Sequence, residues 1–177
     1  MNIRHSICFL TLLFGLQSAA HGQQAYHSFR DPEGNKVLVG TINEKILAND
    51  SAFTWFYSGV NDYQPDMAWV KDISAYRDSF QVVVFAGTWC ADSKILLPRF
   101  YRVMMAASYP LDRIRLYAVD HKLHAGNGEA RKYRLHATPT FIFLYHGKEL
   151  GRITEQVNGS MESDIVGILD RMVSTHP

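Results

Sequence analysis

The stretch from residue 82 to residue 107 does most to limit what this chain can fold into. Val82-Val83-Val84-Phe85 is an unbroken β-branched and aromatic run, as in a strand covered on both faces. Directly after it, 90–107 reads as a helix with Ile95, Leu96, Phe100, Val103 and Met104 on one side and Pro98 predicting a kink. A buried strand running straight into a helix requires a sheet with helices packed on it. The remainder agrees: Ile114 to Val119 reads as a strand, 128–134 as a short helix, and Thr140 to Tyr145 and Glu149 to Thr154 as a hairpin turning through His146-Gly147-Lys148. A last helix starts near Ser160, with Glu162 and Asp164 at its positive end and Ile165, Ile168, Leu169 and Met172 at helical spacing. This order is that of an α/β fold, a mixed central sheet flanked by helices.

Three segments are expected: 1–22, 23–79 and 80–177. The first has the layout of a signal peptide, with Arg4 and His5, an apolar run over 7–16 too short to span a bilayer, and Ala20-His21-Gly22 as the cleavage region. It implies a secreted or periplasmic protein with no stable membrane insertion after cleavage. The 23–79 segment reads as a helical and aromatic N-terminal extension packing on the domain. In it Val37 to Ile42 suggests a short strand, and Pro65-Asp66 starts a helix carrying Met67, Val70 and Ile73 inward. Trp55, Phe56, Tyr57, Tyr63 and Trp69 either cover a face of the sheet or line a groove beside Cys90.

Loss of residues 1–22 removes Arg4 and no acid, so 18 basic side chains become 17 against 17 acidic ones. A balanced surface argues against nucleic acid as a partner. The same cleavage removes Cys8 and leaves Cys90 alone, so no internal disulfide is available and Cys90 is either a buried bystander or a reactive thiol.

The segment FAGTWCADSKILLP, 85–98, resembles the active-site segment of the thioredoxin family, with Trp89, Cys90 and Pro98 matching in identity and spacing. KYRLHATPTFIFLYHGKELGR, 132–152, resembles that family's short helix, Thr-Pro loop and hairpin. The resemblance covers about 80–174 and implies a thioredoxin-like fold with an exported, WCxxS-type single-cysteine site. A cysteine at a helix N-terminus has its thiolate stabilised by the positive end of the backbone dipole; Asp92 opposes this, and Lys94 or the Ser93 hydroxyl would assist it. The resemblance further implies a cis Thr138-Pro139 bond whose loop holds an extended peptide by strand addition, with Trp89, Thr138 and Pro139 contacting substrate.

Two departures matter. Ser93 stands where dithiol members carry the resolving cysteine, so release of a client needs an external thiol such as glutathione. Val84 stands where many members bury an acid; Asp92 is either a local acid/base in its place or a solvated carboxylate of the first helical turn. No Cys/His cluster of metal-ligand spacing is present, so neither metal nor resident cofactor is expected; His121, after Asp120, is either a candidate for the rim of the site or simply a solvated side chain. The resulting expectation is monothiol exchange through Cys90, by mixed disulfide or deglutathionylation, in a thiol-disulfide oxidoreductase lacking the resolving cysteine. Its partners would be client proteins with a disulfide or oxidised thiol and an external reductant. The alternative is a thioredoxin-fold module that binds peptides without turnover.

Overall fold

The computed structural model describes residues 25–174; the signal-peptide reading of 1–22 lies outside them. Six strands form one sheet in the order β1-β2-β4-β3-β5-β6. They are β1 Tyr26–Arg30, β2 Lys36–Ile42, β3 Gln81–Ala86, β4 Ile114–Ala118, β5 Thr140–Tyr145 and β6 Lys148–Thr154. Only β3 and β4 run parallel among neighbours, joined by the crossover helix α4, Ala91–Ala106. The other helices are α1 Glu44–Asn49, α2 Thr54–Asp62, α3 Met67–Tyr76, α5 Glu129–Lys132, α6 Met161–Leu169 and α7 Arg171–Ser174.

The unbroken run in β3 has the environment its composition requires. Val82 and Val84 belong to a large core with Leu97, Phe100, Phe141 and Ile165. Val83 and Phe85 enter a smaller cluster on the opposite face, with Tyr117, Val119 and Ile142, against which Ala130 and Tyr133 of the α5 region pack. Period-two alternation therefore distributes one apolar run between two cores. The β5–β6 turn has positive φ at both His146 and Gly147, the backbone of a two-residue hairpin whose twist matches its strands.

The extension is more than helical. Its first elements are two strands that continue the sheet, β2 pairing antiparallel with β4. Asp31-Pro32-Glu33-Gly34 makes the β1–β2 turn, with Gly34 donating its N–H to the Asp31 carbonyl at 3.0 Å, as Pro at the second position and Gly at the fourth favour. Leu38, Leu47, Phe53, Phe56, Val70 and Ile73 lie in the same core as Val82 and Phe100, so apolar packing is continuous across residue 80. Phe56 of α2 meets Tyr101 of α4 edge to face at 5.4 Å. At the other end, buried Glu162 of α6 accepts from the Tyr63 hydroxyl and the Asp66 N–H, both at 2.8 Å. Glu162 thus fastens the extension onto α6 besides standing in that helix's positive first turn. Burial and the neighbouring carboxylate push the Tyr63 hydroxyl up to about 12.

Two expected core residues face outward. Ile95 is 48% exposed and Met67 62%, because each lies in the first turns of its helix on the side away from the sheet; Leu96 and Leu97 of α4, and Val70 and Ile73 of α3, turn inward instead. Of Trp55, Phe56, Tyr57, Tyr63 and Trp69, Phe56 is buried, Trp55 and Tyr63 are half-buried, and Tyr57 and Trp69 are exposed.

Candidate functional site

Register places the two sequence motifs side by side. Phe85 of β3 pairs with Thr140 of β5, so the segments running on from them, Gly87 to Cys90 and Thr138-Pro139, meet at the same end of the sheet. The Gly87 N–H donates to the Thr138 hydroxyl at 2.9 Å and to the Ser93 hydroxyl at 3.1 Å. The Thr138-Pro139 peptide is cis. Cys90 caps α4 with extended backbone and no side-chain cap bond, and its S–H donates to the Thr138 carbonyl at 3.3 Å. The residue is 9% exposed and lies at the head of a 16-residue helix, whose first N–H groups and dipole favour negative charge on the sulfur.

The remaining predicted residues divide. Ser93 is fully buried and its hydroxyl, besides accepting from Gly87, lies 3.3 Å from that of Thr138; it braces the two loops against each other and is not directed at the sulfur. Lys94 also turns away from Cys90, donating to the Asn35 side chain at 3.2 Å. Asp92 is exposed in the first turn of α4, the solvated alternative. Val84 is fully buried in the core.

Trp89 is held from three sides. Its indole N–H donates to the Val119 carbonyl at 3.0 Å, and its ring stacks on His121 with centroids 4.1 Å apart. Gly87 leaves the necessary room, since a Cβ there would meet the indole at 2.8 Å. His121 in turn lies 3.2 Å from the Asp31 carboxylate. Burial alone would raise the Asp31 carboxyl; bonds from the Asn35 side chain and backbone and from His121 outweigh it and hold the group below the usual carboxylate range. Asp31, Glu33 and His121 form a cluster of metal-ligand type that no sequence spacing revealed, as His121 stands 90 residues beyond Asp31.

Thr88 is the residue sequence reasoning missed. Its hydroxyl donates to the Lys36 carbonyl at 2.8 Å and accepts from the Leu38 N–H at 3.1 Å. One side chain thereby completes the ladder of β2 where β4 no longer reaches it. Its place beside Trp89 is visible in the sequence, as is a strand over Val37 to Ile42; the bonds between the two are not. Together Thr88, Asn35 and Asp31 join the β1–β2 hairpin to the loop that presents the sulfur.

The thioredoxin family model matches residues 63–170. Thioredoxin H3 of Arabidopsis thaliana is 29% identical over 105 residues, 58% of this chain and 80% of its own length. Thioredoxin H9 of the same plant is 28% identical over 101 residues, 56% of this chain and 68% of its own length. Among solved structures, the chain is similar to a thioredoxin from Trypanosoma brucei brucei, with TM-score 0.36 and 24% identity over 55% of this chain and 77% of that one. A protein of unknown function from Pseudomonas aeruginosa has TM-score 0.48 and 16% identity, over 73% and 84%.

Proposed function

Because the chain belongs to the thioredoxin family, we propose that it carries out thiol-disulfide exchange through one sulfur, Cys90, outside the cytoplasm. The observation that carries this reading is the juxtaposition of that sulfur, at the head of α4, with the Thr138 carbonyl at 3.3 Å. The Thr138 N–H has no hydrogen-bond partner among the described residues, which leaves it for the backbone of an extended client. Export rests on residues 1–22, and 23–79 form the extension that fixes the site loop.

The Cys90 thiolate attacks one sulfur of a client disulfide. A Cys90–client bond forms as the client's own S–S bond breaks, and the departing sulfur takes the electron pair and a proton from water. Ser93 offers no thiol to displace the client, so an external thiolate, glutathione being the small-molecule case, attacks the Cys90 sulfur and the client leaves reduced. A second equivalent attacks the sulfur of the bound small thiol, restoring Cys90 and producing the symmetric small disulfide. With a glutathione-capped client the first attack falls on the glutathione sulfur and the client leaves at once.

In the test, the mature chain reacts with a neutral disulfide probe at neutral pH much faster than free cysteine does, and Cys90→Ser abolishes the reaction; a rate equal to that of free cysteine overturns the reading. A second reading is favoured by the S–H bond to Thr138 and the low exposure of Cys90: a module that binds extended chains at the same loop without turnover. Client capture separates the two. Loss of DTT-releasable clients in Cys90→Ser supports exchange, and an identical client set supports the module.

A further inference from the structure

Beside the site loop, on the side of α2, a cleft of about 330 Å³ opens between the β1–β2 hairpin and the first turns of α4. Arg30, Lys36 and Lys94 line it with Trp55, Thr88 and Ser51, and no carboxylate does. Lys36 is engaged by Asp50 at 2.6 Å. Arg30 and Lys94 form no ion pair among the described residues: Arg30 donates to the Gly34 carbonyl and Lys94 to the Asn35 amide oxygen. Two guanidinium or ammonium groups thus meet at a polar cavity of small-ligand size with their charge uncompensated. The aromatic wall supplied by Trp55 gives such a cavity an apolar side.

Its location gives it a use. Lys94 stands four residues after Cys90, about one turn along α4, with its ammonium on Asn35 of the hairpin; Thr88 stands two residues before Cys90. With Thr88 and Lys94 of its wall on either side of Cys90 in sequence, the cleft is placed for an anionic group one or two residues from the reacting sulfur of a bound thiol or disulfide. Glu33 and Asp92 are exposed in the neighbourhood but belong to neither wall.

We infer that this cleft is a carboxylate subsite, which selects among the thiols and disulfides reaching Cys90 those with a carboxylate close to their sulfur, such as acidic peptides or an anionic thiol of the glutathione kind. The inference rests on the exchange reading of Cys90, and the test separates the two. The mature chain is reacted with a dianionic disulfide, 5,5′-dithiobis(2-nitrobenzoate), and with a neutral one, 2,2′-dithiodipyridine, at low and high salt. In the Arg30→Glu/Lys94→Glu variant the anionic-to-neutral rate ratio falls about tenfold, equal to about 1.4 kcal/mol, and in the wild type the same ratio falls with salt. Any change in thiol reactivity itself acts on both probes and cancels. An equal ratio in wild type and variant overturns the subsite while leaving Cys90 chemistry standing. If neither probe reacts, Cys90 chemistry fails, and the subsite is decided by titrating Cys90→Ser with S-methylglutathione by NMR. Shifts at the Trp55 indole and Lys94 that vanish in the charge-reversed variant support the subsite; none at millimolar ligand overturns it.

Discussion

Replacing Gly87 by Ala tests how the site loop is held. The added methyl would lie 2.8 Å from two atoms of the Trp89 indole and 3.2 Å from the Cys90 Cβ. To recover ordinary contact at 3.4 Å the ring must retreat by about 0.6 Å. That displacement lengthens the 3.0 Å indole bond to Val119 toward about 3.6 Å, where it no longer counts as a hydrogen bond. It also disturbs the stack on His121. Losing the bond costs about 0.5–1.5 kcal/mol, and losing the stack costs roughly as much again. Against this, alanine restricts the unfolded chain and returns about 0.4–1 kcal/mol, and the backbone at Gly87 is outside the left-handed region. The net loss is about 1–2 kcal/mol, which for a chain of this size lowers Tm by roughly 2–8 °C. Thermal unfolding by circular dichroism reads the stability, and indole fluorescence reads the ring. An unchanged Tm with unchanged fluorescence refutes the claim that Gly87 sets the position of Trp89.

Other outcomes follow from the same contacts. Glu162→Ala removes the acceptor of two hydrogen bonds and lowers stability by about 2–3 kcal/mol in urea unfolding, with Glu162→Gln intermediate. Ser93→Cys supplies a thiol able to displace the client, so covalent Cys90–client adducts on a non-reducing gel fall by about tenfold or more, and an unchanged yield excludes this geometry for the exchange. The Asp31 carboxyl is held below its ordinary value of 3.8, so its contribution to stability is complete above that value and is lost as pH falls through the lowered one. Asp31→Asn accordingly flattens the acid limb of the stability profile. The Tyr63 hydroxyl, pushed to about 12 from 10.0, makes the opposite contribution: complete below pH 10 and lost as pH rises through about 12, a slope that Tyr63→Phe abolishes.

The half of the chain that could be read in advance owes its legibility to local chemistry. Strand β3, helix α4 and the β5–β6 hairpin each signal themselves through periodicity or turn residues. The Thr-Pro loop came through resemblance, and register accounts for its nearness to Cys90. What escaped has non-local causes. Strand β1 has one half-buried residue and four exposed ones, so as an edge strand it shows no apolar pattern. Thr88, Asp31 and Glu162 look like ordinary polar residues until their partners, on other elements, are known. Nearness in sequence offers Lys94 or the Ser93 hydroxyl to the sulfur; Asn35, brought in by the β1–β2 turn, takes Lys94 instead.

The bond pair made by Thr88 makes the extension hard to treat as an appendage. A transplant of residues 80–174 alone into another host would present the Trp-Cys loop with the Thr88 hydroxyl unanswered, since its two backbone partners, on β2, stay behind. In related chains, hairpin and loop should therefore drift in step, with a change at position 88 answered by a change of pairing at positions 36 and 38.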